Sequence, residues 1–244
     1  MNARKPNRKP DEKPDRKPDK KPNKAKPGVG EIIRKHLAQD DALGWFEELY
    51  AAAAGDPCFV PWVHLRPRQR LLTWIDRARP DGRGKRALVV GCGLGDDAEA
   101  IAALGYRVTA FDISPTAIRW CQERFPNSRV RYQVADLFHP PPEWLEAFDL
   151  VVEAYTIQAL PPLIRVDVTL GIARFLAPGG RLVLIAQGID SVEGRTGPPW
   201  PLTPEEARLF RHCGLEEIFF QAHPQEDGGR LLRFLAEFRR PATG

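Results

Sequence analysis

From Arg86 onward, short apolar runs alternate with segments of helical pattern, and this alternation constrains the fold more than any other feature of the chain. "RALVV", "YRVTAFD", "RVRYQVA", "DLVVEA" and "RLVLIA" read as strands. Helical patterns lie between them. "DDAEAIAAL" has Asp96 at its N-cap, Glu99 three residues later and Gly105 at its end. "SPTAIRWCQERF" has Ser114 as its cap and Pro115 in its first position. "PLIRVDVTLGIARFL" closes at Gly179 and Gly180, and Thr203 with Glu206 forms a capping box for "TPEEARLFRHC". Strands joined through helices pair in parallel. The last two runs, "LEEIFFQAH" and "RLLRFLAEFRR", are separated only by the turn "PQEDGG" and must pair as a hairpin. The expected fold is α/β, a seven-stranded, mostly parallel sheet with one antiparallel strand and helices on both faces. In such sheets ligands bind at the carboxyl ends of the strands, where the strand order reverses.

Residues 29–80 precede this alternation. "GVGEIIRKHLAQ", "DALGWFEELYAAAA" and "PWVHLRPRQRLLTWIDRA" read as three helices. Residues 1–28 are different, with prolines at 6, 10, 14, 18 and 22 and no large apolar residue between Met1 and Val29. A segment with nothing to bury cannot offset its ordering entropy, so this Lys/Pro-rich tail is expected to be disordered. The expected division is therefore a tail over 1–28 and one domain over 29–244, with 29–80 covering a core of 86–244. The tail holds 11 Lys and Arg against 4 Asp and Glu, while the rest holds 25 against 28. The basic balance thus belongs to the tail, and interleaved acids weaken it as a nucleic-acid signal. Cys58, Cys92, Cys121 and Cys213 lack paired spacing, and the five histidines show no metal-ligand pattern. No apolar run reaches membrane-spanning length and no secretory leader is seen, so the expected setting is the cytoplasm.

"LVVGCGLGDDAEA" follows the first strand. It lacks the GxxxxGK[ST] of a P-loop. Counted from Gly91, the dinucleotide fingerprint would need a third glycine where Asp96 stands. Two aspartates at a helix start suit the helix dipole but not a pyrophosphate, so the ligand should carry no phosphate there. Asp112 ends the second strand, where an acid accepts bonds from two ribose hydroxyls. Its other reading is a helix cap, a place that Ser114 already fills. Asp136 ends the third strand, placed for an exocyclic adenine amine, with Leu137 and Phe138 flanking the ring. A phosphate-free, ribose- and adenine-bound cofactor points to S-adenosylmethionine.

"VVGCGLG", "AFDISPTAI", "VADLF" and "FDLVVEA…FLAPGGRLVLIA", over about 86–187, resemble the ordered motifs of class I S-adenosylmethionine-dependent methyltransferases. "WFEELY…VPWVHLRPRQRLLTW" and "GDDA" are similar to the thiopurine/thiol methyltransferase-like branch. The resemblance implies a Rossmann-like sheet with Asp112 at the ribose, Asp136 at the adenine, and Gly91, Gly93 and Gly95 facing the methionine part. Cys92, Asp96, Ile113, Leu137 and Glu153 complete the expected cofactor site. Many members carry an acid two residues before the first glycine. This chain has Val89 there, and Asp96, Asp97 or a backbone carbonyl is expected to compensate.

The open end of the fourth strand, "FDLVVEAYTIQALPP", should lie beside the transferred methyl. Glu153 and Tyr155 are the candidate bases; Glu153 could equally bond loop amides. Asp149 begins that strand, far from the chemistry. Trp62, Tyr155, Gln158 and Trp200 are candidate substrate contacts, with both tryptophans alternatively packing anchors. Phe59 and His64 lie beside Trp62. The [DN]PPY-type sequence of nucleobase amino-methyltransferases is absent, so nucleic acid is disfavoured as a partner. The expected substrate is a small molecule. A thiol needs no strong base, because its ordinary pKa leaves some thiolate at neutral pH. Oxygen or nitrogen methylation, or cofactor binding without turnover, are the alternatives.

Overall fold

The computed structural model describes residues 27–193, 195–225 and 230–242. The tail expected over 1–28 lies outside the described residues except for Pro27 and Gly28.

Seven strands form one sheet in the order β3-β2-β1-β4-β5-β7-β6. They are β1 (Arg86–Val90), β2 (Arg107–Asp112), β3 (Arg131–Val134), β4 (Phe148–Ala154), β5 (Leu176–Ile189), β6 (Glu216–Pro224) and β7 (Leu231–Arg239). The first five pair in parallel, and β7 runs antiparallel to both β5 and β6. This is the expected sheet, with the hairpin inserting its second strand beside β5. Its cause is visible in β1, where Ala87, Leu88, Val89 and Val90 are all buried because both faces are covered. Leu88 and Val90 pack into one core layer, and Ala87 and Val89 into the other. Strand order reverses between β1 and β4, so their carboxyl ends diverge into a crevice.

The helices are α1 (Val29–Leu37), α2 (Gly44–Ala53), α3 (Gln69–Ala78), α4 (Asp96–Ala102), α5 (Pro115–Arg124), α6 (Arg165–Ala173), α7 (Pro204–Ala207) and α8 (Leu209–His212). Ser114 caps α5 by accepting from the Ala117 N–H, and Thr203 with Glu206 forms the capping box of α7. Four expectations are corrected: α6 ends at Ala173 with Gly179 and Gly180 inside β5, the helix expected after Thr203 divides at Arg208 into α7 and α8, and two more follow. α4 is capped by Gly95 in the left-handed region, not by Asp96, because Arg124 on α5 takes both Asp96 carboxylate oxygens at 2.9 Å. The third N-terminal helix begins only at Gln69. Pro61 and Pro67 interrupt any earlier helix, and residues 61–68 cross the open end of the sheet as irregular chain.

α1 and α2 form a cover with its own apolar layer, in which Trp45, Leu49, Tyr50 and Val60 meet Ala117 and Trp120 of α5. Glu47 pins this cover. Its carboxylate accepts from the Ser114 hydroxyl at 2.5 Å and the Thr116 hydroxyl at 2.7 Å, at the start of α5. Burial opposes ionisation of Glu47, but these bonds outweigh it and lower its pKa.

Candidate active site

The crevice is a cavity of about 1150 Å³, bounded by the ends of β1 to β4, the cover and residues 61–70. The turn after β1 forms its floor. Gly91, Gly93 and Gly95 have φ of 56°, 54° and 88°. At Gly91 the need for glycine is double, since a Cβ would stand 2.3 Å from the Thr156 Oγ1 as well as in the left-handed region. Gly91→Ala is therefore expected to cost about 1–3 kcal/mol of stability and to loosen this turn, read as a lowered denaturant midpoint. An unchanged midpoint would show that Thr156 yields freely.

Asp112 joins this turn to the end of β2. One carboxylate oxygen accepts from the Gly93 N–H at 2.9 Å, the other from the Ser114 N–H at 3.0 Å. Burial pushes its pKa up to about 6, against the pull of these amides. The carboxylate retains acceptor capacity, and the residue lines the cavity. A ribose diol supplies the donors that such a buried carboxylate lacks. Ile113 lies beside it. Asp136 and Leu137 line the cavity at the end of β3. Asp136 already accepts from the Phe138 N–H at 2.9 Å and meets His139 Nδ1 at 2.7 Å, which fixes its orientation.

Gly91, Cys92, Gly93 and Asp96 line the same floor. Gly95 does not; its Cβ position is closed by Tyr132 at 2.6 Å, so its place is the packing of α4. Asp96 is neutralised by Arg124, and Asp97 accepts from the Arg68 N–H at 2.7 Å. Neither aspartate is a free charge at the helix start. Val89, at the position where an acid is usual, lines the cavity. Tyr50 stands near this end, its hydroxyl 3.3 Å from where a Cβ on Gly93 would be. Trp62 Nε1 donates to that hydroxyl at 2.9 Å, which leaves the Tyr50 proton to be donated onward.

The end of β4 differs most from expectation. Glu153 is fully buried and does not line the cavity. One oxygen accepts from the Thr156 N–H at 2.6 Å and the Ile157 N–H at 3.0 Å, and the other has no hydrogen-bond partner. Burial drives its pKa up to about 7. The expected base and cofactor roles are corrected accordingly, since Glu153 holds the loop from beneath and presents no surface to a substrate. Asp149, as expected, is far away and accepts from the Arg86 N–H at 2.8 Å.

Tyr155 does line the cavity, with φ of 68°, a strained conformation for a residue with a side chain. Its ring lies 4.8 Å from the Arg68 guanidinium, and its hydroxyl accepts from Arg233 at 3.5 Å. Gln158 also lines the cavity; its side-chain oxygen accepts from the Gln187 N–H at 2.5 Å. Trp62 contributes to the wall with Trp45 and Phe46. Trp200 does not, although its neighbours Pro198 and Pro199 do. Its backbone N–H donates to the Gln158 carbonyl at 2.7 Å and its carbonyl accepts from Arg165 at 2.9 Å, so it anchors the loop. Phe59 packs in the cover layer outside the cavity.

Residues 87–180 match the family model described as "Methyltransferase domain". The chain is 28% identical to "Probable thiol methyltransferase 2" of Arabidopsis thaliana, over 77% of this chain and 80% of that protein. It is also 28% identical to the thiopurine S-methyltransferase of Vibrio cholerae, over 64% and 78%. Among solved structures it superposes on an N-methyltransferase from Bradyrhizobium japonicum in complex with S-adenosylhomocysteine, with a TM-score of 0.63 and 24% identity, covering 80% and 98%. The matched domain and the seven-stranded sheet mark the chain as an S-adenosylmethionine-dependent methyltransferase. The relatives it is similar to over most of their length are thiol and thiopurine methyltransferases, and its cofactor is S-adenosylmethionine.

Sequence reasoning missed Tyr50, Arg66, Arg68, Arg70 and Arg233. They reach the cavity from α2, from the irregular chain, from α3 and from β7, and no motif spacing links them.

Proposed function

We propose that this enzyme methylates a small thiol or a similarly soft nucleophile. The observation that carries this reading is the withdrawal of Glu153 from the cavity, which leaves the open end of β4 without a carboxylate base. A thiol suits such a site because part of it is already thiolate at neutral pH. The thiol and thiopurine methyltransferase relatives support the same acceptor.

When bound, S-adenosylmethionine supplies a sulfonium methyl, which is transferred as its C–S bond breaks and the acceptor's electron pair forms the new bond. The acceptor's thiol proton is lost to solvent. The chain's own part is alignment and exclusion of water. Asp112 would hold the ribose, Asp136 the adenine amine, and Tyr50 would donate to the methionyl end. Trp45, Phe46 and Trp62 would form the apolar wall, and Tyr155 and Gln158 would orient the acceptor. We further propose that residues 29–80 act as the substrate cover over a core of 86–244. Among the described residues no helix is long and apolar enough to cross a membrane. The free cysteines fit a reducing compartment such as the cytoplasm.

The test is release of S-adenosylhomocysteine with a panel of small thiols, halides, phenols and amines, with Asp112→Ala as the blank. Turnover with thiols is expected. Turnover confined to phenols or amines would overturn the thiol reading and direct attention to Tyr155. Tight cofactor binding with no turnover on any acceptor would favour a binding protein.

A further inference from the structure

The mouth of the cavity holds more positive charge than the fold needs. Arg66, Arg68, Arg70 and Arg233 all line it. Arg66, Arg68 and Arg233 gather around His64 and Tyr155. Arg68 and Arg233 bracket the Tyr155 ring and hydroxyl at 4.8 and 3.5 Å. His64 lines the same wall; burial lowers its pKa most, and the charges of Arg68, Arg66 and Arg233 lower it further. Arg68 has one carboxylate within ion-pair distance, Asp97 at 3.9 Å. Among the described residues no ion pair is formed by Arg66, Arg70 or Arg233. Like charges gathered at the mouth of a cleft, beside apolar rings, strengthen one another's field. An anion relieves it, and the planar guanidinium fork fits an oxyanion best.

Among the cavity's own acids, Asp97 alone answers this charge, and only at Arg68. Asp112 and Asp136 sit at the ends of β2 and β3, and Asp96 is taken by Arg124. The Tyr50 hydroxyl, against the glycine turn, is a separate donor that would serve the cofactor's single methionyl carboxylate.

Resting on the methyl-transfer reading above, we infer that the acceptor carries an oxyanion, a carboxylate or sulfonate, set apart from its nucleophilic sulfur. Arg66, Arg70 and Arg233 are the residues that select it. Arg68 contributes less, because Asp97 offsets its charge and Tyr155 stacks on it. The preferred substrates are thus acidic thiols, and neutral thiols of the same shape are poor ones.

The test compares 3-mercaptobenzoate with its methyl ester on the full chain, at a pH where both thiols are ionised. The acid is expected to exceed the ester in kcat/KM by about 10- to 100-fold, as for charge-assisted bonds. Added salt should shrink that ratio. Arg233→Gln and Arg66→Gln should each bring it down by about tenfold, and Arg233→Lys should restore part of it. The ratio is internal to each variant, so a general loss of folding or cofactor binding cancels. Equal kcat/KM for acid and ester in the wild type would overturn the inference. So would variants that raise the Kd of S-adenosylmethionine and leave the ratio unchanged, since the arginines would then serve the cofactor's carboxylate. If no thiol is methylated, the thiol reading fails but the anion site is still decided by calorimetry. Benzoate should bind the protein loaded with S-adenosylhomocysteine, benzamide should not, and Arg233→Gln should abolish the difference. Equal binding of the two, or none, would overturn the site.

Discussion

Asp112→Ala is expected to weaken S-adenosylmethionine binding by about 1.5–3 kcal/mol, a rise in Kd of about 10- to 150-fold. Two effects add. The ribose hydroxyls lose a charged acceptor, and the buried Gly93 and Ser114 N–H groups lose theirs, so the turn that cradles the cofactor loosens. The same carboxylate gives the binding a pH dependence. Asp112 is held up to about 6 by burial, so below that pH it binds a proton and no longer accepts from the ribose with full charge. Cofactor affinity should be flat above about pH 7 and fall as the pH drops through 6. Calorimetry across this range checks both parts. A Kd unmoved by Asp112→Ala would remove Asp112 from the cofactor site.

The second large effect is expected at Glu153. Glu153→Ala would strand the buried Thr156 and Ile157 N–H groups, and should destabilise the protein by about 3–5 kcal/mol. Glu153→Gln keeps the accepting oxygen and removes a charge that burial disfavours. In the wild type the folded site binds its proton more tightly than the unfolded chain does, with a pKa of about 7 against the usual 4.5. This contribution to stability is therefore fully present below pH 4.5 and is lost as the pH rises through 7. Its size is on the order of 3 kcal/mol. Asp112 acts with the same sign between 3.8 and about 6. Urea melts of the cofactor-free protein at pH 5 and pH 8 should show this slope, and Glu153→Gln should remove the Glu153 share. If Glu153→Gln instead abolished methyl transfer with stability intact, the residue would belong to the chemistry and its role under the loop would be wrong.

The two carboxylates also mark where sequence reasoning reaches its limit. The placement of Asp112 is legible because its signals are local: the end of a strand, a capping serine two residues on, a glycine turn one strand away. Ser114 and the Thr203–Glu206 box were legible for the same reason, since caps act within one turn of chain. Glu153 was legible as a polar residue at the right strand end, but not in its direction. On β4 it pairs beside Val90 on a buried face, and Tyr155, two residues on, reaches the cavity only because the chain leaves the strand there with a φ of 68°. Asp96 was misread as a cap because its partner, Arg124, lies 28 residues away on another helix. The arginine cluster had no local trace. Residues 61–68 mix charge and apolar residues as a helix does, and only the backbone limits of Pro61 and Pro67 separate this stretch from α3. Arg233 joins the others only because the sheet folds β7 in beside β5.

The bond between Glu47 and Ser114 has a consequence for the order of events in turnover. Ser114 gives its hydroxyl to the cover and its backbone N–H to Asp112, so the cover and the proposed ribose acid share one residue. Anything that seats the cover also steadies the carboxylate that grips the nucleoside, and by reciprocity a bound nucleoside holds the cover in place. Lifting α2 would release Ser114, and with it the support of the carboxylate that would hold the nucleoside.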